Sequence, residues 1–220
     1  MRKLLFIFGL LVLCTAAQAQ KKEKFKYVLI MTDSGDMKVK LYNETPLHRD
    51  NFISLVKQKY YNELLFHLVK PGSIIEGGDP NSYEASDDAV LGGGGPGYTL
   101  ESEIVEGLYL KKGTLVASRV GDKANPNRES NGSQFFIVHG RKFSLSELNI
   151  IERQKKDTIS EVQRELYTTV GGLPSYDKQY TVFGEIVEGL DVLDKLMAVR
   201  TQSNGRPVFP LKMWMKVVKK

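Results

Sequence analysis

Apolar and polar residues alternate along two short segments near the start of the chain, then change rhythm. Lys26 to Thr32 and Met37 to Tyr42 flank Asp33-Ser34-Gly35-Asp36, and in the second run Met37, Val39 and Leu41 alternate with Lys38 and Lys40. A period of two around a turn-forming cluster predicts a β-hairpin with one buried face. After Thr45 the spacing becomes helical, with Phe52, Leu55 and Val56 on one stripe. Thr45 is the expected N-cap, and Pro46 falls in the first turn, where a missing N–H costs nothing.

Short apolar segments follow at Leu64–Val69, Gly113–Val120, Ser133–Val138 and Tyr180–Ile186, each bounded by Gly, Pro, Asn or Asp. Many short strands punctuated by turns predict a barrel or sandwich. Gly189 to Val199 returns to helical spacing through Leu190, Val192, Leu193, Leu196 and Met197, and Leu211 to Val218 reads as a closing strand. That makes about eight strands and two main helices. Phe143 to Val170 departs from this pattern. It is charged, and Ser144-Leu145-Ser146-Glu147 and Thr158-Ile159-Ser160-Glu161 both read as capping boxes, which predicts a helical insertion in two pieces. No internal repeat or domain linker is visible.

The first residues are excluded from the fold. Arg2 and Lys3 precede the apolar run Leu4 to Leu13, and Ala17-Gln18-Ala19 follows. A run of this length with small residues behind it reads as a secretory leader, because a membrane span needs roughly 20 apolar residues. The expected division is therefore a leader over 1–19, a charged arm over 20–25 and one domain over 26–220, exported to the periplasm and without a membrane span. The alternative is a lipid anchor on Cys14, which the bulky Leu13 in front of it disfavours.

Cys14 is the only cysteine, so a processed chain has no disulfide and relies on its core. The chain has 31 basic and 26 acidic residues, and loss of Arg2 and Lys3 leaves 29 basic residues and a net charge of +3, too small to imply nucleic acid. About two hundred residues fit one domain with a real core, and a monomer is expected.

Six ordered motifs point to a family. They are Phe66-His67, Gly77-Gly78-Asp79, Gly94-Gly95-Pro96-Gly97-Tyr98-Thr99, Lys112-Gly113-Thr114-Leu115, Asn131-Gly132-Ser133-Gln134-Phe135-Phe136-Ile137 and Val182-Phe183-Gly184-Glu185-Ile186-Val187-Glu188-Gly189. From about Tyr27 to Val218 the chain resembles the cyclophilins. The resemblance implies a mainly β fold, a closed eight-stranded antiparallel barrel capped by two helices, here with the helical insertion near 143–170 beside its groove. It also implies peptidyl-prolyl cis-trans isomerisation, with proline-containing polypeptide segments as partners and no cofactor.

The reaction needs no nucleophile. Rotation about an X–Pro bond is slow because amide resonance raises a barrier of about 18–20 kcal/mol. A catalyst need only hold the proline ring and stabilise the twisted amide, for instance with a donor to the proline nitrogen. By resemblance, Phe136 is the pocket floor, Ile74 a wall, and Gln134 a polar contact to the substrate backbone. Ser118 and Arg119 fall where the family presents backbone groups to the peptide, and Tyr176 and Tyr180 fall on the far wall.

The donor in this family is the arginine after Phe-His, and here Leu68 stands there. The same segment carries Lys70 for an apolar residue, Ser73 for an aromatic one and Glu76 for glutamine, and Asp177-Lys178 replaces an Asp-Gly turn. These changes predict reduced catalysis or, alternatively, a non-catalytic prolyl-peptide-binding chaperone. Lys70 is a possible substitute donor, because residues i and i+2 of a strand share a face, roughly 6.6 Å apart. Arg119 is a second one, from across the groove.

Other features have plainer readings. Gly92 to Gly97 lacks the Gly-Lys-Ser/Thr of a phosphate loop and reads as a flexible rim. His48, His67 and His139 show no metal-ligand spacing, and His67 reads as a structural hydrogen-bonding residue. Tyr60-Tyr61 reads as packing.

Overall fold

The computed structural model describes residues 25–220. The leader and most of the charged arm lie outside the described residues. The elements in chain order are β1 (Lys26–Thr32), β2 (Gly35–Leu41), α1 (Pro46–Lys57), β3 (Phe66–Lys70), β4 (Ile74–Gly77), β5 (Thr99–Leu100), β6 (Thr114–Ala117), β7 (Ser130–Asn131), β8 (Phe135–Val138), α2 (Leu145–Lys155), α3 (Glu161–Thr169), β9 (Val182–Glu188), α4 (Leu190–Met197) and β10 (Trp214–Val218).

Eight strands form one sheet in the order β10-β1-β2-β9-β6-β8-β4-β3, with antiparallel pairing throughout, and β5 pairs separately with β7. The sheet curls, but the closed barrel expected from the sequence is corrected: no ladder joins β3 to β10. The two edges meet where β3 begins and just before β10, through the bridge Leu65↔Lys212 and the bonds Glu63 N–H to Met213 O (2.8 Å), Phe66 N–H to Leu211 O (2.8 Å) and Met213 N–H to Leu64 O (2.9 Å). Pro207 and Pro210, close before that seam, offer no N–H to extend a ladder.

The β1–β2 hairpin forms as the alternation predicts, with Thr32 opposite Gly35 and Lys26 opposite Leu41. Gly35 has φ +127°, and a Cβ there would press on Val192 of α4, so the turn and the helix packing both require glycine. The concave face buries Ile30, Val39, Phe66, Leu115, Phe135 and Ile137, with Phe52 and Val56 of α1 and Leu193 and Leu196 of α4 packed onto it. Tyr61 belongs to this core, as its packing role requires, and donates to Ser133 O at 3.1 Å. Because side chains alternate along β8, Phe136 and Val138 point the other way, into a second cluster with Val116, Val182, Tyr42 and Leu110. That convex-face cluster is the bed of the site described below.

Two of the three helix-cap predictions need adjustment. Thr45 occupies the N-cap of α1 but makes no capping bond, and its Oγ1 is buried without a partner among the described residues. Glu103, from a distant loop, does the capping: Leu47 N–H donates to Oε1 at 3.0 Å and His48 N–H to Oε2 at 2.9 Å. A carboxylate is well placed against the positive end of a helix, and no local sequence pattern could have revealed it. The α2 box is the predicted one, Ser144 with Glu147, whereas the α3 box is Ser160 with Gln163, two residues on from Thr158.

The same carboxylate holds the His48 ring, Nδ1 to Oε2 at 2.7 Å, while Nε2 meets Ser130 Oγ at 2.9 Å. Burial pushes the imidazole below its ordinary 6.5, against the pull of Glu103. Since the unfolded chain then takes up this proton first, stability is lost as pH falls below about 6.5. Burial of His67 acts in the same direction. The unfolding midpoint is expected to drop between pH 7 and pH 5, and His48→Gln to flatten part of that slope. An unchanged slope in the variant would remove His48 from the account.

Candidate functional site: the outer-face groove

Strand register sets out the site in two rows across the convex face. Leu68 pairs with Glu76, Glu76 with Phe136 and Phe136 with Val116; Lys70 pairs with Ile74 and Ile74 with Val138. Paired residues of neighbouring antiparallel strands share a face, so a floor of Phe136 and Ile74 follows from the pleat alone. The resulting groove, about 240 Å³, is lined by Lys70, Ser73, Ile74, Glu76, Ser118, Arg119, Phe136, Leu173, Tyr176 and Tyr180. Nine of these are the residues that the sequence singled out. Leu173 was missed. Its sequence signal is an apolar residue between Gly172 and Pro174, directly before the turn that carries Tyr176.

The far wall is aromatic. Tyr180 meets Phe136 edge-on at 5.5 Å, and Tyr176 meets Tyr180 at 5.9 Å. The Arg119 guanidinium stacks 4.6 Å over the Tyr180 ring and is spent on protein partners: Nε donates to Gln179 O at 2.8 Å, Nη1 donates to Val120 O at 3.0 Å and pairs with Asp122 at 2.6 Å. It braces the wall and is not poised to reach across. Ser118 donates its N–H to Gln134 O at 3.0 Å and accepts from Asn131 N–H at 2.7 Å, so those backbone groups are also committed.

Gln134 and Leu68 do not line the groove. Gln134 is buried, and its Nε2 donates to Gly92 O at 3.1 Å and Gly94 O at 2.7 Å. It ties down the glycine-rich rim rather than facing a ligand. Asp79 holds the same rim by accepting from Gly92 N–H at 2.5 Å and Gly94 N–H at 3.3 Å, so the rim, expected to be flexible, is stapled. His67, expected to hydrogen-bond, has its Nδ1 buried without a partner among the described residues.

Leu68 is half-buried against the turn that covers the free edge of β3. Val69 N–H donates to Gly205 O at 2.8 Å, and a Cβ on Gly205 would come within 2.7 Å of Leu68 Cδ1. The leucine therefore packs on a glycine turn and offers the groove no donor. Lys70, exposed at the rim, has no ion pair among the described residues, which leaves its ammonium available.

The insertion holds the wall from behind. The carboxylate of Asp177 accepts from Tyr167 Oη at 2.7 Å, Gln163 Nε2 at 3.0 Å and Leu110 N–H at 2.9 Å, and Lys155 Nζ donates to Asp177 O at 2.9 Å. Burial raises the Asp177 carboxyl above its ordinary value, and these donors pull the other way. The helices so fix the turn from Pro174 to Tyr176 that carries the groove's outer tyrosine.

Among the described residues no group of three or more His, Cys, Asp or Glu could hold a metal ion, and no helix is long and apolar enough to cross a membrane. The sequence model of the cyclophilin type peptidyl-prolyl cis-trans isomerase family matches residues 27–217. A provisionally named peptidyl-prolyl cis-trans isomerase of Staphylococcus haemolyticus is 30% identical over 183 residues, 82% of this chain and 85% of that protein. A Streptococcus pyogenes protein, provisionally named a bifunctional phosphatase/peptidyl-prolyl cis-trans isomerase, is 32% identical over 82% of this chain, which spans only 36% of that longer protein. The crystal structure of a Cryptosporidium parvum cyclophilin type peptidyl-prolyl cis-trans isomerase superposes with a TM-score of 0.67 at 26% identity, covering 90% of this chain and 99% of that one. The chain belongs to the cyclophilin-type peptidyl-prolyl cis-trans isomerase family.

Proposed function

We propose that this member is a prolyl isomerase of reduced efficiency, acting on proline-containing segments of exported proteins in the periplasm. The observation that carries the proposal is the groove itself: an apolar floor and walls of Phe136, Ile74, Leu173 and Tyr180, with Leu68 where a donor to the twisted amide would stand. Holding the ring while the acyl side rotates requires shape and apolar contact, which these side chains supply. Lowering the barrier further requires a donor as the nitrogen lone pair localises. Lys70, free at the rim in the row next to Leu68, is the substitute this groove offers. Export is supported by the leader-like pattern over residues 1–19.

Leu68 favours one other reading, a prolyl-peptide-binding chaperone without turnover. Both readings require proline recognition. Titrating the isotope-labelled protein with a prolyl tetrapeptide is expected to shift the NMR signals of Ile74, Ser118, Phe136 and Tyr180, and the same peptide with alanine for proline to leave them in place. Equal responses to the two peptides would overturn proline recognition.

A further inference from the structure

Two polar groups in the groove lack partners of their own. Ser118 is 7% exposed, and its Oγ is buried with no hydrogen-bond partner among the described residues. With its backbone N–H and C=O committed to Gln134 and Asn131, the hydroxyl is the one polar group of Ser118 without a partner among the described residues. Glu76, half-buried beside the pocket floor in register with Phe136, lines the same cavity, and no described residue hydrogen-bonds or pairs with its carboxylate.

The cations of the groove do not neutralise that carboxylate. Arg119 is engaged by Asp122, two carbonyls and the Tyr180 face, and Lys70 stands in solvent at the rim. A ligand cation that donates to an unpaired carboxylate makes a charge-assisted hydrogen bond, stronger than a neutral one. An ammonium carries three donors, so one that serves the Glu76 carboxylate still has donors to offer a second acceptor in the groove.

We propose that Glu76 and Ser118 form a cation-accepting subsite beside the proline pocket, so that the groove selects segments with a lysine or arginine adjacent to the proline. This rests on the prolyl-binding reading above and specifies its substrate class.

The test is NMR titration of the full chain with Ala-Lys-Pro-Ala, Ala-Glu-Pro-Ala and Ala-Ala-Pro-Ala, together with Ala-Pro-Lys-Ala and Ala-Pro-Glu-Ala. In at least one of the two positions the lysine peptide is expected to bind roughly tenfold more tightly than its glutamate counterpart, the size of one charge-assisted hydrogen bond. In Glu76→Gln, with its fold checked by the unfolding midpoint, that ratio is expected to approach one, and in Ser118→Ala to shrink. Binding of the neutral peptide with no lysine preference overturns the subsite alone, as does a lysine preference that survives Glu76→Gln. A preference for glutamate assigns selectivity to Lys70 and also overturns it. Failure of every peptide, the neutral one included, overturns the prolyl-binding reading and the subsite with it.

Discussion

Replacing Leu68 by arginine is expected to raise the cis/trans exchange rate of a bound prolyl peptide by about 10²–10³, the effect of restoring one preorganised transition-state donor. Leu68 stands in register with Glu76, whose own partner is Phe136, so an arginine there would project from the strand row that carries the pocket floor. The obstacle is the Gly205 turn against which the leucine packs. An arginine stem can lie along that turn as leucine does while its guanidinium extends over the groove. The gain is therefore expected in turnover, with little change in peptide affinity, because the donor acts on the twisted amide and not on the planar one. Exchange spectroscopy at saturating peptide, with a thermal melt to show that the variant folds, reads it directly. A folded Leu68→Arg variant no faster than the natural chain would mean that Ser73 and Glu76, not the missing donor, limit the rate.

Tyr167→Ala is expected to destabilise the chain by about 3–5 kcal/mol, the range for deleting a fully buried aromatic ring. Tyr167 is 0% exposed and sits at the centre of the insertion's own core with Leu148, Ile151 and Ile159. Its hydroxyl also donates to Asp177, so the deletion leaves a buried carboxylate short of a donor. Tyr167→Phe isolates that second effect and is expected to cost about 1–3 kcal/mol. Denaturant unfolding measures both variants. Weaker prolyl-peptide binding should accompany the loss in each, because Asp177 anchors the Pro174–Tyr176 turn behind the groove. Unchanged peptide affinity in a folded Tyr167→Phe would uncouple the insertion from the site.

The fold was largely legible where β2 alternates with a period of two and where α2 and α3 begin at local caps. Alternation in Met37–Leu41 and the stripe through Leu193 and Leu196 depend only on which face is buried. The errors arose where partners come from far along the chain. Thr45 looked like a cap, but Glu103 fills that role from a loop more than fifty residues away. The barrel seam depends on a few backbone bonds near Leu211 and Leu64 that leave no pattern in the sequence.

The groove was legible through the cyclophilin resemblance, which carries residue positions across, and the strand register does bring Glu76 and Phe136 together. What motif matching could not supply was the direction each side chain takes. Gln134 turns to the rim carbonyls, Arg119 folds onto Tyr180, and Leu68 lies against Gly205, each captured by a contact specific to this chain.

The most direct test of the central claim is the equilibrium cis/trans exchange rate of a single prolyl tetrapeptide with the natural chain, measured by NMR with and without an excess of a second prolyl peptide. Exchange is expected to run faster than the uncatalysed reaction, to be suppressed by the competitor and to be slower than in Leu68→Arg. Exchange that stays at the uncatalysed rate while the peptide is bound would contradict it and leave a prolyl-binding chaperone in its place.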